Sequence, residues 1–94
     1  MASVYILYSL TADLHYIGST KDTIQRLDYH KNKEFPKSFT AKYSDWDLYY
    51  SIDDISITIA RKIEFHIKRM KNRSYLQNMK KYPEIAQKLI AKYS

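Results

Sequence analysis

Apolar and aromatic residues occupy both faces of residues 4–9, a pattern typical of a strand at the centre of a sheet. Residues 10–13 predict a short turn, after which residues 15–19 return as a second strand. Residues 33–44 are mostly polar and predict a loop, and residues 46–51 beyond it predict a third strand. The N-terminal half is therefore expected to supply three short strands.

The segment 55–59 fits two periodicities. It alternates apolar and polar residues and is rich in β-branched side chains, which favours a fourth strand. The apolar positions, however, continue beyond this segment at spacings of three and four residues, which favours an amphipathic helix. That stripe consists of Ile55, Ile59, Ile63, Ile67 and Met70. We therefore predict a helix over about 57–71, with Ser56 able to cap its start.

Further helices are predicted before the loop and in the C-terminal tail. Ser19 and Thr20 can each cap a first helix that runs to about residue 32. Pro83 stands at a helix-start position and divides the tail into two short helices. The sequence thus predicts an α+β fold, a small three-stranded antiparallel sheet flanked by helices, with residues 1–94 forming a single domain.

Charge is distributed unevenly along the chain. Residues 1–54 carry 6 Lys and Arg against 8 Asp and Glu, a balance of −2. Residues 55–94 carry 10 against 2, a balance of +8. A C-terminal half this basic attracts phosphate backbones, although a solvated helical surface can have the same composition.

The composition also excludes several classes of protein. The chain has no cysteine, which rules out disulfides and thiolate metal sites. Its N-terminus has no basic segment followed by an apolar run, so it does not resemble a signal peptide. No apolar stretch approaches the ~18 residues that a membrane span requires. We therefore expect a cytoplasmic protein with no membrane partner.

The single glycine of the chain is Gly18, at the end of the second strand. An average domain contains about 7% glycine, so a chain this poor in it keeps the residue only where backbone or space demands it. The four-residue turn implies a register in which Tyr5 pairs with Gly18, and the glycine is expected to leave room beside the Tyr5 ring for a ligand. The same register places Tyr5 and Tyr16 on one face of the sheet. Each tyrosine alone is better explained as a core aromatic than as a catalytic residue.

Arg26 and His30 stand one turn apart on the predicted first helix. A guanidinium can grip a phosphate with two parallel hydrogen bonds, and an imidazole can orient or deprotonate a neighbour. An exposed Arg and His without any role can have the same spacing. This pair is therefore evidence for a catalytic site only together with other residues.

Glu64 is one of three glutamates and lies in the basic part of the predicted helix 57–71. It can form an ordinary helix salt bridge with Arg61 or Lys68, worth ~0.3–0.5 kcal/mol. It can equally supply a hard oxygen ligand for one Mg²⁺ that keeps most of its waters. Its place at the edge of the apolar stripe directs it along the rim of the core toward the sheet.

The order of these residues resembles the GIY-YIG nuclease family, in particular its small stand-alone, URI-type members. The first motif reads Ser3-Val4-Tyr5 and the second reads Tyr16-Ile17-Gly18, followed by Arg-x-x-x-His and a later Glu. Similar proteins often have an Ala one turn before that Glu and a Trp opening the third strand, matched by Ala60 and Trp46. Asn78 is our choice for the family's later Asn, with Asn72 as the poorer candidate. Ser3 replaces the glycine of the first motif.

The resemblance implies metal-dependent hydrolysis of DNA phosphodiester bonds. In that mechanism Tyr5 takes a proton from the attacking water, Tyr16 and His30 orient the reactants, and Arg26 neutralises charge on the phosphoryl group. Glu64 holds Mg²⁺ or Mn²⁺, with no small-molecule cofactor, and these five residues should converge on one concave surface. The expected DNA contacts are Lys62, Lys68, Arg69, Lys71, Arg73 and Asn78.

Two alternatives stay open. The fold and its basic face can serve a catalytically silent DNA- or RNA-binding module, or exposed tyrosines can form the hot spots of a protein-interaction domain. An intact set of Tyr5, Arg26 and Glu64 argues against both. The target sequence and the oligomeric state are left open by the sequence.

Overall fold

A three-stranded antiparallel sheet forms the centre of the protein. The computed structural model describes residues 1–24, 45–70 and 72–94. Its strands are β1 (Ala2–Ser9), β2 (Leu14–Thr20) and β3 (Trp46–Ile55), in the order β2-β1-β3. As its pattern predicts, β1 is central and buried on both faces. The strand β3 is longer than predicted, because Ile52 and Ile55 continue it into the core beyond residue 51.

Three helices follow the sheet in the described part of the chain. They are α1 (Ile57–Met70), α2 (Arg73–Lys81) and α3 (Pro83–Tyr93). The helical interpretation of the ambiguous segment is confirmed, since Ile55 ends β3 and the Ser56 hydroxyl accepts a hydrogen bond from the Ile59 amide at 3.2 Å. The two predicted tail helices are confirmed as well, with Pro83 at the start of α3. The predicted first helix lies largely outside the described residues.

The two faces of the sheet have different coverings. On one face, Val4 and Ile6 pack against the buried residues of α1 in the main core. Those α1 residues are Ala60, Ile63 and Ile67, and α2 and α3 add Leu76, Met79, Ala86 and Leu89. On the other face, Tyr5 and Leu7 form a smaller aromatic cluster with Trp46. We call these the helix face and the tyrosine face. The described helices are neither long nor apolar enough to cross a membrane.

Candidate functional site

Tyr5 lies directly over the only glycine. The register pairs Tyr5 with Gly18 across β1 and β2, as the turn length predicts. A Cβ placed on Gly18 would lie 2.7 Å from Tyr5 Oη and 2.8 Å from Tyr5 Cζ. Its φ is not positive, so space rather than backbone conformation requires the glycine. The expectation of room for a ligand is therefore wrong: the Tyr5 ring itself fills the space beside the glycine and is 4% exposed.

Gly18→Ala is therefore expected to destabilise the fold. The added methyl group must displace the buried Tyr5 ring, and overpacking of this kind costs about 1–3 kcal/mol. Thermal or denaturant unfolding measures the loss. In a Tyr5→Phe background the nearest atom is gone, so the same change should cost less. Equal costs in both backgrounds would show that the added methyl group clashes with the ring carbons and not with the Tyr5 hydroxyl.

Tyr16 lies beside Tyr5 on the tyrosine face, as the predicted register requires. The two ring centroids are 6.4 Å apart, with the ring planes tilted by 52°. Burial, and after it the negative charge of Glu64, raises the pKa of Tyr16. Tyr16 is therefore a protonated phenol at neutral pH and can donate a hydrogen bond.

Glu64 reaches the edge strand β2 from α1. Its Oε1 accepts a hydrogen bond from the Ser19 hydroxyl at 2.5 Å, and its Oε2 pairs with Lys68 Nζ at 2.7 Å. Ser19 alternates with Gly18 along β2, so it points to the helix face. The expectation of one concave surface needs correction here: Glu64 approaches from the face opposite Tyr5. The physical reason is that the apolar stripe of α1 packs on the helix face, and Glu64 on its flank reaches the edge of β2.

The edge position of β2 nevertheless brings the two faces close together. No strand lies beyond β2 in the described sheet. Glu64 is near enough to Tyr16 for its charge to raise the tyrosine pKa across this edge. The described site thus consists of two tyrosines above the edge strand and one carboxylate below it.

The chemistry of Glu64 suits a single divalent ion. Mg²⁺ prefers oxygen ligands, keeps several waters and often takes only one or two carboxylates. In the described ranges, no three His, Asp or Glu side chains are grouped as a metal site, so Glu64 would hold the ion with at most one other such side chain among them. The Lys68 side chain is 49% exposed and can swing away from Oε2, while Ser19 keeps Oε1 in place.

Three of the predicted site residues lie outside the described residues. These are Arg26, His30 and Lys71. Their proposed roles stay predictions.

The remaining predicted DNA contacts differ in their partners. Lys62 and Asn78 are exposed, Lys68 is paired with Glu64, and the Arg69 guanidinium lies 5.8 Å from the centre of the Phe65 ring. Arg73 instead holds the β1–β2 turn, with its Nη1 2.9 Å from Asp13 Oδ2 and its Nη2 donating to the Asp13 carbonyl oxygen at 2.7 Å. Arg73 is thus already engaged by a carboxylate.

Asn72 has a structural task that separates it from Asn78. Its side chain caps α2 by accepting hydrogen bonds from the Ser74 and Tyr75 amides. The exposed Asn78 has no comparable role in the cap beyond its carbonyl, which accepts from the Tyr82 amide. The assignment of Asn78 to the family's Asn stays a prediction.

Sequence reasoning missed two polar contributors to the site. Ser19 lies in the second strand as predicted, but its hydroxyl was considered only as a possible helix cap, whereas it donates to Glu64. Asp53 on β3 accepts a hydrogen bond at 2.9 Å from the buried Ser3 hydroxyl, two residues before Tyr5. Strand alternation could have indicated Ser19, since it points away from the face of Gly18. Asp53 carried no signal, because the predicted third strand ended before it.

Comparison with known families supports the resemblance. The family model described as GIY-YIG catalytic domain matches residues 1–82. Comparison with curated proteins and with solved structures gives no match. The match includes the whole sheet together with α1 and α2, whereas α3 lies beyond it.

Proposed function

The chain belongs to the GIY-YIG family, which supports a nuclease-type enzyme, and we propose that it is an endonuclease hydrolysing DNA phosphodiester bonds with Mg²⁺ or Mn²⁺. One observation carries the proposal: Tyr16, which lies beside Tyr5 over Gly18, is close enough to Glu64 at the edge of β2 for the Glu64 charge to raise its pKa. At one phosphate, the carboxylate can bind a metal ion, one phenol can orient the attacking water, and the other can take a proton from that water.

Tyr5 is proposed as the general base. A free phenol has a pKa of about 10, so accepting a proton from water at neutral pH requires nearby positive charge. Arg26 is the protein group proposed to supply it and to neutralise charge on the phosphoryl group. Tyr16 has the complementary task, because its raised pKa keeps its proton and lets the hydroxyl orient the water or the phosphate. His30 is proposed to orient the same groups.

Glu64 is proposed to hold the metal ion. When bound, a divalent ion there stabilises negative charge on the leaving oxygen. The Ser19 hydroxyl fixes one carboxylate oxygen, and Lys68 must release the other. The freed Lys68 ammonium can then contact the phosphate backbone, so metal binding and DNA contact favour each other.

The outer face of α1 is proposed to bind DNA. Its exposed cationic side chains are Arg61, Lys62, Lys68 and Arg69, and Phe65 among them is 63% exposed. Nucleic-acid-binding surfaces typically combine cations that contact the phosphate backbone with an aromatic ring that can stack on a base. The cytoplasmic location and the single-domain organisation stay predictions.

The decisive test is nicking of supercoiled plasmid DNA by the full chain. We expect nicking with Mg²⁺ or Mn²⁺ and its loss on chelation with EDTA, restored by adding the metal back. DNA binding without nicking under every metal condition would favour the silent nucleic-acid-binding module. Absence of both would favour the protein-interaction domain.

A further inference from the structure

A pocket lies on the flank of α1 away from Glu64. Its volume is about 260 Å³, and its lining consists of His66, Arg69, Met70, Lys92 and Tyr93. The first three belong to α1 and the last two to α3, the helix beyond the family match at residues 1–82. His66 follows Glu64 by two residues, which turns it by about 200° around the helix axis. The pocket is therefore separate from the site proposed for cleavage.

The polar side chains of this pocket are held in place. His66 Nδ1 lies 2.9 Å from the Tyr93 hydroxyl, and His66 Nε2 lies 3.3 Å from the Tyr75 hydroxyl. Both ring nitrogens are thus engaged, by α3 on one side and α2 on the other. This arrangement fixes the imidazole and sets the Tyr93 hydroxyl at the pocket wall.

The pocket is positively charged and has no acidic lining residue. In the described part of the chain, neither Arg69 nor Lys92 forms an ion pair with a carboxylate, whereas Lys68 and Arg73 both do. Each contacts an aromatic ring instead: Arg69 lies 5.8 Å from the Phe65 centroid and Lys92 Nζ 5.4 Å from the Tyr93 centroid. Burial, followed by the charges of Lys92 and Arg69, lowers the pKa of His66. The positive charges of Arg69 and Lys92 therefore both reach His66 in this pocket.

We propose that this pocket binds a backbone phosphate of the DNA, at a position away from the phosphate that is cut. The proposal rests on the proposed function for its choice of DNA. Arg69 and Lys92 supply the charge. With the proton of the neutral His66 ring on Nδ1, the Tyr93 hydroxyl accepts from the imidazole and can donate a hydrogen bond to a phosphate oxygen. Since a water occupies ≈ 30 Å³ in the liquid, the volume of about 260 Å³ admits a phosphate with bridging waters.

The outer face of α1 connects this pocket to the strand edge. A helix is about 10–12 Å across with its side chains, so a strand whose scissile phosphate lies near Glu64 can cross α1 to reach the pocket. The exposed Phe65 and the guanidinium of Arg69 lie along that crossing. Binding at both ends would fix the direction of the strand over the helix, which a single phosphate contact cannot do.

The test compares two lysines on the same helix. Lys92→Gln removes a pocket cation, and Lys88→Gln makes the same charge change one turn earlier, at an exposed residue outside the pocket. Affinity for a random-sequence duplex is measured by fluorescence anisotropy across salt concentrations, in a Glu64→Gln background that keeps the DNA intact. We expect Lys92→Gln to weaken binding about tenfold and to lower the salt slope by about one phosphate contact, and Lys88→Gln to weaken it by about twofold at most.

A second variant and a second probe separate the outcomes. Tyr93→Phe keeps the ring, removes the hydroxyl and should weaken binding by about threefold, a smaller loss than that of the charge. Equal effects of Lys92→Gln and Lys88→Gln overturn the pocket. In another outcome, inorganic phosphate shifts the NMR signals of Tyr93, but Lys92→Gln leaves DNA affinity unchanged. That outcome assigns the pocket to free phosphate and overturns the DNA contact. If Lys92→Gln weakens DNA binding but the unmodified chain does not nick, the pocket is supported and the proposed nuclease activity is not. If the unmodified chain nicks but the two lysine variants bind alike, the nuclease activity is supported and the pocket is overturned.

Discussion

Glu64→Gln is expected to reduce metal-dependent plasmid nicking by roughly 10²–10³-fold while DNA affinity is kept. The amide has the shape of the carboxylate but no charge, so it binds a divalent ion poorly. Removal of a negative charge near phosphate should, if anything, strengthen DNA binding. Initial nicking rates at saturating DNA and metal separate this loss from any change in affinity.

The same substitution should have little effect on stability. The amide oxygen can still accept the Ser19 hydrogen bond, and the pair with the half-exposed Lys68 is a surface salt bridge. Such pairs contribute about 0–1 kcal/mol, so the free energy of unfolding should fall by no more than ~1 kcal/mol. A large loss of nicking with a small loss of stability is the signature of a metal ligand.

Two matched variants complete this experiment. Lys68→Gln breaks the same salt bridge from the other side but leaves the carboxylate, so at saturating DNA its nicking rate should stay within a few-fold of the unmodified chain. Glu84→Gln makes the same chemical change at an exposed residue in the first turn of α3 and should have no effect. Nicking by Glu64→Gln at the unmodified rate would reduce this residue to a helix salt bridge.

The strand register could be predicted from the sequence because turn length and side-chain parity determine it. A four-residue turn permits the pairing of Tyr5 with Gly18, and that pairing places Tyr16 on the face of Tyr5. The helix α1 was predictable for a similar reason, since the apolar stripe that includes Ile63 and Ile67 continues far beyond the alternating segment. Both are local patterns that need no knowledge of tertiary packing.

The position of Glu64 relative to the sheet could not be predicted in the same way. Periodicity identifies which side of α1 is apolar, but it does not say which face of the sheet that side covers. Because β1 is apolar on both faces, either face could have received the helix. The hydrogen bond between Ser19 and Glu64 joins residues 45 positions apart, and only the packed structure shows that Glu64 reaches the edge of β2 and lies near Tyr16.

Tyr5→Phe is the second change for which we expect a large effect, a loss of about 10²–10⁴-fold in nicking rate. The substitution removes one oxygen and leaves the ring that fills the space over Gly18. The aromatic cluster with Leu7 and Trp46 should therefore stay packed. Circular dichroism and thermal unfolding check that the fold is kept, and nicking at saturating DNA and metal measures the chemical step.

Tyr8→Phe provides the matched control within the same strand. Tyr8 lies three residues beyond Tyr5, and its hydroxyl donates to Asp13 Oδ1 at 2.7 Å, near the turn and away from Gly18. Loss of that exposed hydrogen bond should leave the nicking rate unchanged. If Tyr5→Phe and Tyr8→Phe nick alike, the Tyr5 hydroxyl is not the base.

The double variant Tyr5→Phe/Glu64→Gln tests whether the two faces of the edge strand act in one reaction. Groups that act as a unit in one transition state give effects that are far from additive. We therefore expect the double variant to lose little more activity than the more damaging single variant. Losses that multiply fully would mean that Tyr5 and Glu64 act in independent steps. In that case, the approach of Glu64 to the edge of β2 would describe the packing of the protein rather than its chemistry.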